Sequence, residues 1–265
     1  MTNILQTAVE AAIEAGKAIM KIYEQDFSVE FKDDKSPLTE ADKASNTLIC
    51  NRLADTFPII SEENKQIDFE ERKHWNKYWL IDPIDGTKEF IKKNGEFTVN
   101  IALVEKGLPV LGVVYLPAKN ILYFGSSEIG SYKYTVPENQ SLTELDEIIN
   151  NADKLTGDNL PEKYTIVASR SHMSPETEEF IAECREKYGE VELISKGSSI
   201  KLCLVAEGSA HVYPRVAPTM EWDTAAAHAV AKFAGCTVKD FYNHTELKYN
   251  KENLLNPYFI VAHEG

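Results

Sequence analysis

The chain has 265 residues, with 28 Lys and Arg against 42 Asp and Glu, and a formal net charge of −14. This acidic balance repels nucleic-acid phosphates and no basic stripe offsets it, so we expect no nucleic-acid partner. With 43% hydrophobic and 26% charged residues, the composition is that of a globular protein and excludes a disordered chain. The longest apolar runs are far shorter than the ~20 residues of a membrane-spanning helix, so no membrane span is predicted.

The amino-terminal sequence lacks a basic segment followed by an apolar one, so no secretory signal is predicted. The four cysteines are scattered without a CxxC pair, which is typical of buried thiols in a reducing compartment. We therefore expect a cytoplasmic protein. A peripheral location at the inner face of the cell membrane and a homodimeric assembly are both left open.

The amino-terminal part is predicted to pack helices on a largely antiparallel sheet, because helical spacing of apolar residues comes first and short apolar runs follow. The expected elements are a helix over residues 4–25, a second helix from near Thr39 or Asp42, a buried strand over residues 78–81 that ends at Asp82, and a strand meander over residues 97–104, 110–116 and 121–124. We predict an α+β domain over residues 1–150.

Residues 137–161 are polar and are predicted to form a surface excursion or a domain junction. Strands and helices alternate beyond them, which favours an α/β domain over residues 160–265. The expected strands cover residues 164–168, 191–194, 211–213 and 258–262, and the expected helices cover residues 176–188, 199–206 and 223–234.

The segment Asp82-Pro83-Ile84-Asp85-Gly86-Thr87 follows a predicted strand and precedes a short predicted helix over residues 88–91. Two carboxylates three residues apart can converge across a turn, and Gly86 permits a tight backbone that leaves amide groups free at the helix start. Carboxylate oxygens suit Mg²⁺, and such amides suit a phosphate. The alternative is that Asp85 only caps the helix and Asp82 ends the strand in solvent.

Two further acidic residues lie at predicted element ends. Glu62 follows the apolar residues 57–60, and Asp223 begins the helix that Gly235 closes. Taken alone, Glu62 is typical of a solvated charge and Asp223 of a helix N-cap.

Three ordered motifs resemble the signature of the lithium-sensitive inositol monophosphatase superfamily. They are Ser61-Glu62-Glu63, Asp82-Pro83-Ile84-Asp85-Gly86-Thr87 and Trp222-Asp223-Thr224-Ala225-Ala226. Residues 88–104, 169–172, 197–201 and 204–208 further resemble the CysQ-type 3′(2′),5′-bisphosphate nucleotidases of that superfamily. The resemblance covers nearly the whole chain and implies an α/β fold in the form of a layered αβαβα sandwich.

The resemblance implies a site for two or three Mg²⁺ ions, held by Glu62, Asp82, the carbonyl group of Ile84, Asp85 and Asp223. It also implies direct attack on the phosphate by a metal-activated water, which Thr87 deprotonates while Asp42 polarises the Thr87 hydroxyl. The alternative for Asp42 is an ordinary acidic residue early in a helix.

The substrate-binding residues that the resemblance implies partly overlap with these ligands. They are Glu62, Ile84, Asp85, Gly86, Thr87, Ser198, Lys201, Arg215 and Asp223. A cation at Lys201 or Arg215 suits a bisphosphate, whose second anion is not neutralised by metals at the first. The alternatives are a helix N-cap for Ser198 and exposed surface charges for Lys201 and Arg215.

The implied activity is Mg²⁺-dependent hydrolysis of a small nucleotide, adenosine 3′,5′-bisphosphate, to AMP and phosphate, a disposal step in sulfate assimilation. An inositol monophosphatase or another small sugar-phosphate phosphatase would share every metal ligand and remains the nearest alternative. A non-enzymatic acidic metal-binding module is a third hypothesis, against which the water-activating Thr87 argues.

Overall fold

The computed structural model describes residues 2–27, 29–31, 37–138, 144–168 and 174–263. Its helices are α1 (Thr2–Tyr23), α2 (Glu40–Leu53), α3 (Phe69–Arg72), α4 (Thr87–Ile91), α5 (Leu145–Asn150), α6 (Pro175–Tyr188), α7 (Ile200–Ala206) and α8 (Glu221–Phe233). Its strands are β1 (Val29–Phe31), β2 (Pro37–Thr39), β3 (Ile59–Ser61), β4 (Lys77–Asp85), β5 (Thr98–Glu105), β6 (Leu108–Leu116), β7 (Ile121–Ser126), β8 (Gly130–Thr135), β9 (Asp153–Leu155), β10 (Tyr164–Ala168), β11 (Val191–Ser195), β12 (Val212–Arg215), β13 (Cys236–Asp240) and β14 (Phe259–His263).

Two main sheets and three helical layers alternate through the described part of the molecule, and β1 pairs with β2 in a separate two-stranded sheet. The larger sheet has the order β3-β4-β5-β6-β7-β8-β9 and is antiparallel except for the parallel pair β3 and β4. The smaller sheet has the order β11-β10-β12-β14-β13. Helices α1 and α2 cover one face of the larger sheet, α7 and α8 lie between the sheets, and α6 covers the outer face of the smaller sheet. The predicted αβαβα sandwich is confirmed.

Burial on both faces explains the apolar runs of the larger sheet. In β5 every residue from Thr98 to Val104 is buried, because α1 packs on one side of the sheet and α8 on the other. On α1 the buried residues recur at helical spacing, including Leu5, Val9 and Ile19. The amino-terminal helices and the meander are therefore where the sequence pattern predicts them.

Some elements differ from the prediction. Strand β4 does not end at Asp82 but continues to Asp85, so the acidic motif begins within the strand itself. Within the region predicted as a surface excursion, α5 buries Leu145 and Ile148, and β9 extends the larger sheet. One apolar core joins α8 to both sheets, and the division into residues 1–150 and 160–265 stays a prediction.

Helix α8 approaches the larger sheet closely because Gly112 of β6 has no side chain. A Cβ atom there would lie 2.1 Å from the carbonyl oxygen of Ala226 and 2.7 Å from the Cβ of Ala229. Neither neighbour is the end of a flexible side chain, so a larger residue would push the helix away from the sheet.

We expect Gly112→Ala to lower the free energy of unfolding by about 3 kcal/mol, measured by urea denaturation, because of this overlap. Asn51→Ala, at an exposed position of α2, is the control and should change it by less than about 0.5 kcal/mol. A loss below about 1 kcal/mol in the Gly112 variant would contradict the close contact.

In the part of the chain that is described, no helix is long and apolar enough to cross a membrane. The four cysteines are unpaired, and Cys184, Cys203 and Cys236 are buried.

Candidate active site

Strands β3 and β4 run parallel and bring two acidic motifs to one edge of the larger sheet. Glu62 follows β3 directly, and its backbone N–H donates to the carbonyl of Ile81 at 3.2 Å. The pairing of β4 with β5 is irregular between Asp82 and Asp85. In a regular strand, residues three apart point to opposite faces, so this irregularity allows both carboxylates to face the same site.

Helix α8 supplies the third carboxylate from a position 138 residues beyond Asp85 in the chain. Asp223 lies in the first turn of α8, where its Oδ2 accepts the backbone N–H of Met220 at 2.8 Å. It is thus the third helical residue of a capping arrangement and not the N-cap itself, which is Met220. Asp82, Asp85 and Asp223 offer oxygen atoms that all lie within 4.8 Å of one another.

The electrostatics of this cluster favour a bound cation. Burial raises the pKa of Asp82 well above its usual range, and repulsion from Glu62, Asp85 and Asp223 raises it further. Burial and the nearby carboxylates act in the same direction on Asp223, whose pKa is also well above its usual range. Crowded carboxylate oxygens of this kind fit a hard divalent cation, which would replace their mutual repulsion with attraction.

Asp85 is the member of the cluster with the strongest support from cationic and donor groups. Burial raises its pKa to about 6, although the Lys201 ammonium and the backbone N–H of Ser199 lower it. That N–H donates to Oδ2 of Asp85, which ties α7 to the end of β4. Ser199, the N-cap of α7, therefore orients Asp85, which is one of the predicted metal ligands.

The predicted pair of Asp42 and Thr87 is brought together beside the acidic cluster. The Thr87 hydroxyl lies 3.3 Å from Oδ1 of Asp42 and 3.4 Å from the carbonyl oxygen of Ile84. Asp42 is buried, and its Oδ2 accepts the backbone N–H of Thr39 at 2.7 Å. Asp42 is thus an early-helix acid that caps α2 and a partner of Thr87 at the same time.

Gly86 makes the sharp turn between β4 and α4. Its φ of 94° lies in the left-handed region, and a Cβ there would lie 3.2 Å from the carbonyl oxygen of Glu96. Gly86 is the N-cap of α4, so Asp85 does not cap that helix.

A cavity of about 420 Å³ opens beside the acidic cluster. Its wall includes four predicted substrate residues besides Asp85 and Asp223, namely Gly86, Ser198, Lys201 and Arg215. Ser198 has a φ of 44° and does not cap α7, whose N-cap is Ser199.

The two predicted phosphate-binding cations are not ordinary surface charges. Lys201 is only 8% exposed, and burial lowers its pKa to about 8. Arg215 is half-buried, its Nη2 donates to the carbonyl of Pro218 at 3.2 Å, and its buried Nε has no hydrogen-bond partner among the described residues.

Sequence reasoning did not identify several residues that shape this site. Ser199 donates its hydroxyl to Oδ1 of Asn100 at 2.8 Å and lies 2.9 Å from the Thr98 hydroxyl. The carboxylate of Glu96 accepts the backbone N–H of Gly197 at 2.9 Å. These contacts join residues about 100 positions apart, and nothing in the spacing indicates them. Residues 169–172, which carry one of the resembling motifs, lie outside the described ranges.

Comparisons with known proteins agree with this architecture. The sequence profile of the inositol monophosphatase family matches residues 1–263. The 3′(2′),5′-bisphosphate nucleotidase CysQ of Salmonella typhimurium is 42% identical over 98% of this chain and 99% of its own length. The protein of that name from Haemophilus influenzae is 34% identical over 98% of this chain and 93% of its own.

Solved structures show the same relationship. The crystal structure of CysQ from Bacteroides thetaiotaomicron, a bacterial member of the inositol monophosphatase family, superimposes with a TM-score of 0.91 at 48% identity, over 100% of this chain and 98% of that one. Inositol monophosphatase from Anabaena shares the fold, with a TM-score of 0.69 at 22% identity over 98% and 90% of the two chains. The chain belongs to the inositol monophosphatase family.

Proposed function

We propose that this protein is a Mg²⁺-dependent 3′(2′),5′-bisphosphate nucleotidase that hydrolyses adenosine 3′,5′-bisphosphate to AMP and phosphate. The observation that carries the proposal is the acidic cluster of Asp82, Asp85 and Asp223 beside a cavity with Lys201 and Arg215 on its wall. The similarity to proteins named 3′(2′),5′-bisphosphate nucleotidase supports the same substrate class.

Glu62, Asp82, Asp85, Asp223 and the carbonyl group of Ile84 would hold two or three Mg²⁺ ions. When bound, Mg²⁺ supplies Lewis acidity, which polarises a phosphate oxygen and lowers the pKa of water. The ligand set contains only oxygen atoms, in line with the preference of this cation.

Thr87 and Asp42 would orient the attacking water and receive its proton. The Thr87 hydroxyl can donate to Oδ1 of Asp42, 3.3 Å away, and its lone pair is then available to a proton from water. The backbone amides of Gly86 and Thr87 would bind oxygens of the scissile phosphate, because the first N–H groups of a helix such as α4 have no acceptor within the helix.

Lys201 and Arg215 would bind the second phosphate, from the wall of the same cavity that Asp85 lines. Lys201 lies close enough to Asp85 for their charges to interact, so the two phosphates of one small molecule can engage both groups within one cavity. Ser198, on the same wall, would donate a further hydrogen bond to the substrate.

Substrate profiling with Mg²⁺ tests this proposal. Phosphate release from adenosine 3′,5′-bisphosphate is compared with release from inositol monophosphate and from fructose 1,6-bisphosphate. We expect a clear preference for the nucleotide. A preference for inositol monophosphate would overturn the nucleotidase and leave a phosphatase of the same family, and no hydrolysis of any phosphate ester would favour the non-enzymatic metal-binding module.

We expect Lys201→Ala to reduce kcat/KM for adenosine 3′,5′-bisphosphate by about 10- to 100-fold, because a charge-assisted hydrogen bond to the second phosphate is lost. Hydrolysis of a small sugar monophosphate should change by less than about threefold. Lys119→Ala, at an exposed position that does not line the cavity, is the matched control. Equal losses on both substrates would show that Lys201 does not select the bisphosphate.

A further inference from the structure

Glu96 lies between two turns beside the cavity. Its carbonyl oxygen would be 3.2 Å from a Cβ on Gly86 and 2.8 Å from a Cβ on Gly197. The backbone of Glu96 thus packs between the turn that starts α4 and the turn that precedes α7, and glycine at both positions permits this approach. Glu96 is 9% exposed and lines the cavity.

The Glu96 carboxylate binds the turn before α7 through both of its oxygens. Oε2 accepts the backbone N–H of Gly197 at 2.9 Å, and Oε1 lies 3.3 Å from the ammonium of Lys196. Both contacts bridge about 100 residues of chain, so Glu96 links the segment after α4 to the segment before α7.

The turn at Lys196 and Gly197, held by Glu96, positions the ammonium of Lys201. Its Nζ donates to the carbonyl oxygen of Lys196 at 3.3 Å. The position of that carbonyl depends on the residues on either side of the peptide bond, Lys196 and Gly197, and Glu96 holds both. Ser199 has separate anchors, since Thr98, Asn100 and Asp85 contact it. Loss of Glu96 would therefore loosen Lys196 and Gly197 while leaving the contact between Ser199 and Asp85.

We infer that Glu96 is a positioning residue that determines specificity for a bisphosphate, because it holds the Lys196–Gly197 peptide that places the Lys201 ammonium for the second phosphate. Glu96 does not touch the reacting phosphate in this role and acts through Lys201. The inference deepens the proposed function and rests on it. Should the unmodified protein fail to hydrolyse adenosine 3′,5′-bisphosphate, the proposed function is wrong, whereas the effects of Glu96 variants decide the inference.

The test compares KM and kcat for adenosine 3′,5′-bisphosphate and for adenosine 3′-monophosphate, which lacks the second phosphate. We expect Glu96→Ala to raise KM for the bisphosphate about tenfold, to change kcat less than about twofold, and to leave KM for the monophosphate within about twofold. Glu96→Gln keeps an oxygen acceptor for the Gly197 N–H and should restore KM to within about threefold of the unmodified protein.

A double-mutant cycle with Lys201 separates positioning from a general structural effect. Glu96→Ala should add less than about twofold to the KM of Lys201→Ala, because the group through which it acts is already gone. The inhibition constant of AMP, which carries only the second phosphate, should rise about tenfold in Glu96→Ala, and that of inorganic phosphate should not change. Equal effects on both substrates, additive effects in the cycle, or a Gln variant as impaired as the Ala variant would each overturn the inference.

Discussion

Asp85→Asn is expected to reduce hydrolysis by about a thousandfold or more and, at the same time, to stabilise the metal-free protein. The loss of activity follows from the proposed role of Asp85 as a metal ligand, since bound metal contributes several kcal/mol to the transition state. The gain in stability follows from the cluster itself, in which Asp82, Asp85 and Asp223 face one another at short range. A neutral amide at position 85 removes part of their repulsion.

The free energy of unfolding of the metal-free protein is expected to change with pH because of this same carboxylate. The pKa of Asp85 rises from 3.8 to about 6 on folding, so between these values the folded protein binds more protons than the unfolded chain. The free energy of unfolding of the metal-free protein should therefore fall as pH rises through this window. The melting temperature with EDTA should be lower at pH 7.5 than at pH 5.5, and the difference should be smaller in Asp85→Asn.

Added Mg²⁺ provides the complementary measurement. At pH 7.5 it should raise the melting temperature of the unmodified protein and have little effect on Asp85→Asn, because a cation that binds only the folded state stabilises it. Asp153→Asn, which removes an exposed carboxylate far from the cluster, is the matched control and should leave activity and the response to Mg²⁺ unchanged. Full activity in Asp85→Asn would show that Asp85 is not a metal ligand.

Thr87→Val is expected to lower kcat by about 10²- to 10³-fold, because it removes the hydroxyl group proposed to receive the proton of the attacking water. Valine has nearly the same shape as threonine, so α4 should still begin at this residue. The Mg²⁺ concentration for half-maximal activity should change by less than about threefold, since the carboxylate ligands remain. Steady-state rates over a Mg²⁺ titration measure both quantities.

Asp42→Asn tests the other half of the pair. Asparagine can still accept the backbone N–H of Thr39 through its side-chain oxygen and so keep the cap of α2. Its NH₂ group then faces Thr87 and cannot accept a hydrogen bond from that hydroxyl. We expect a loss of kcat similar to that of Thr87→Val and little added loss in the double variant. Thr47→Val, an exposed threonine whose hydroxyl donates only to the carbonyl of Lys43, is the control. A rise in Mg²⁺ requirement that matches the loss of rate would place Thr87 among the residues that support the metal.

Much of the fold could be predicted because its signals are local. Helix α1 has apolar residues at helical spacing, and β10 covers residues 164–168 as predicted. The prediction was wrong where context overrides local pattern. Strand β4 extends through Pro83 to Asp85 because its pairing with β5 accommodates an irregularity there. Strand β9 forms from a polar segment because β8 offers it a pairing partner.

Residue types and their order along the chain specify the chemical groups at the site. The acidic motifs around Glu62, Asp82 and Asp223 and the pair of Asp42 and Thr87 were identified from order and resemblance. Their residue types alone point to an oxygen-ligated cation and a phosphate.

The tertiary structure shows how these groups are held and which neighbours support them. It alone shows that Asp82, Asp85 and Asp223 converge within 4.8 Å and that Lys201 is buried. It also shows that Glu96 contacts Gly197 and that Ser199 contacts Asp85, and these contacts join distant segments of the chain at the site. A sequence motif specifies donors and acceptors only within a few residues, so it does not show contacts between distant segments. Burial, charge repulsion and hydrogen bonds across about 100 residues arise only when the two sheets pack around α7 and α8.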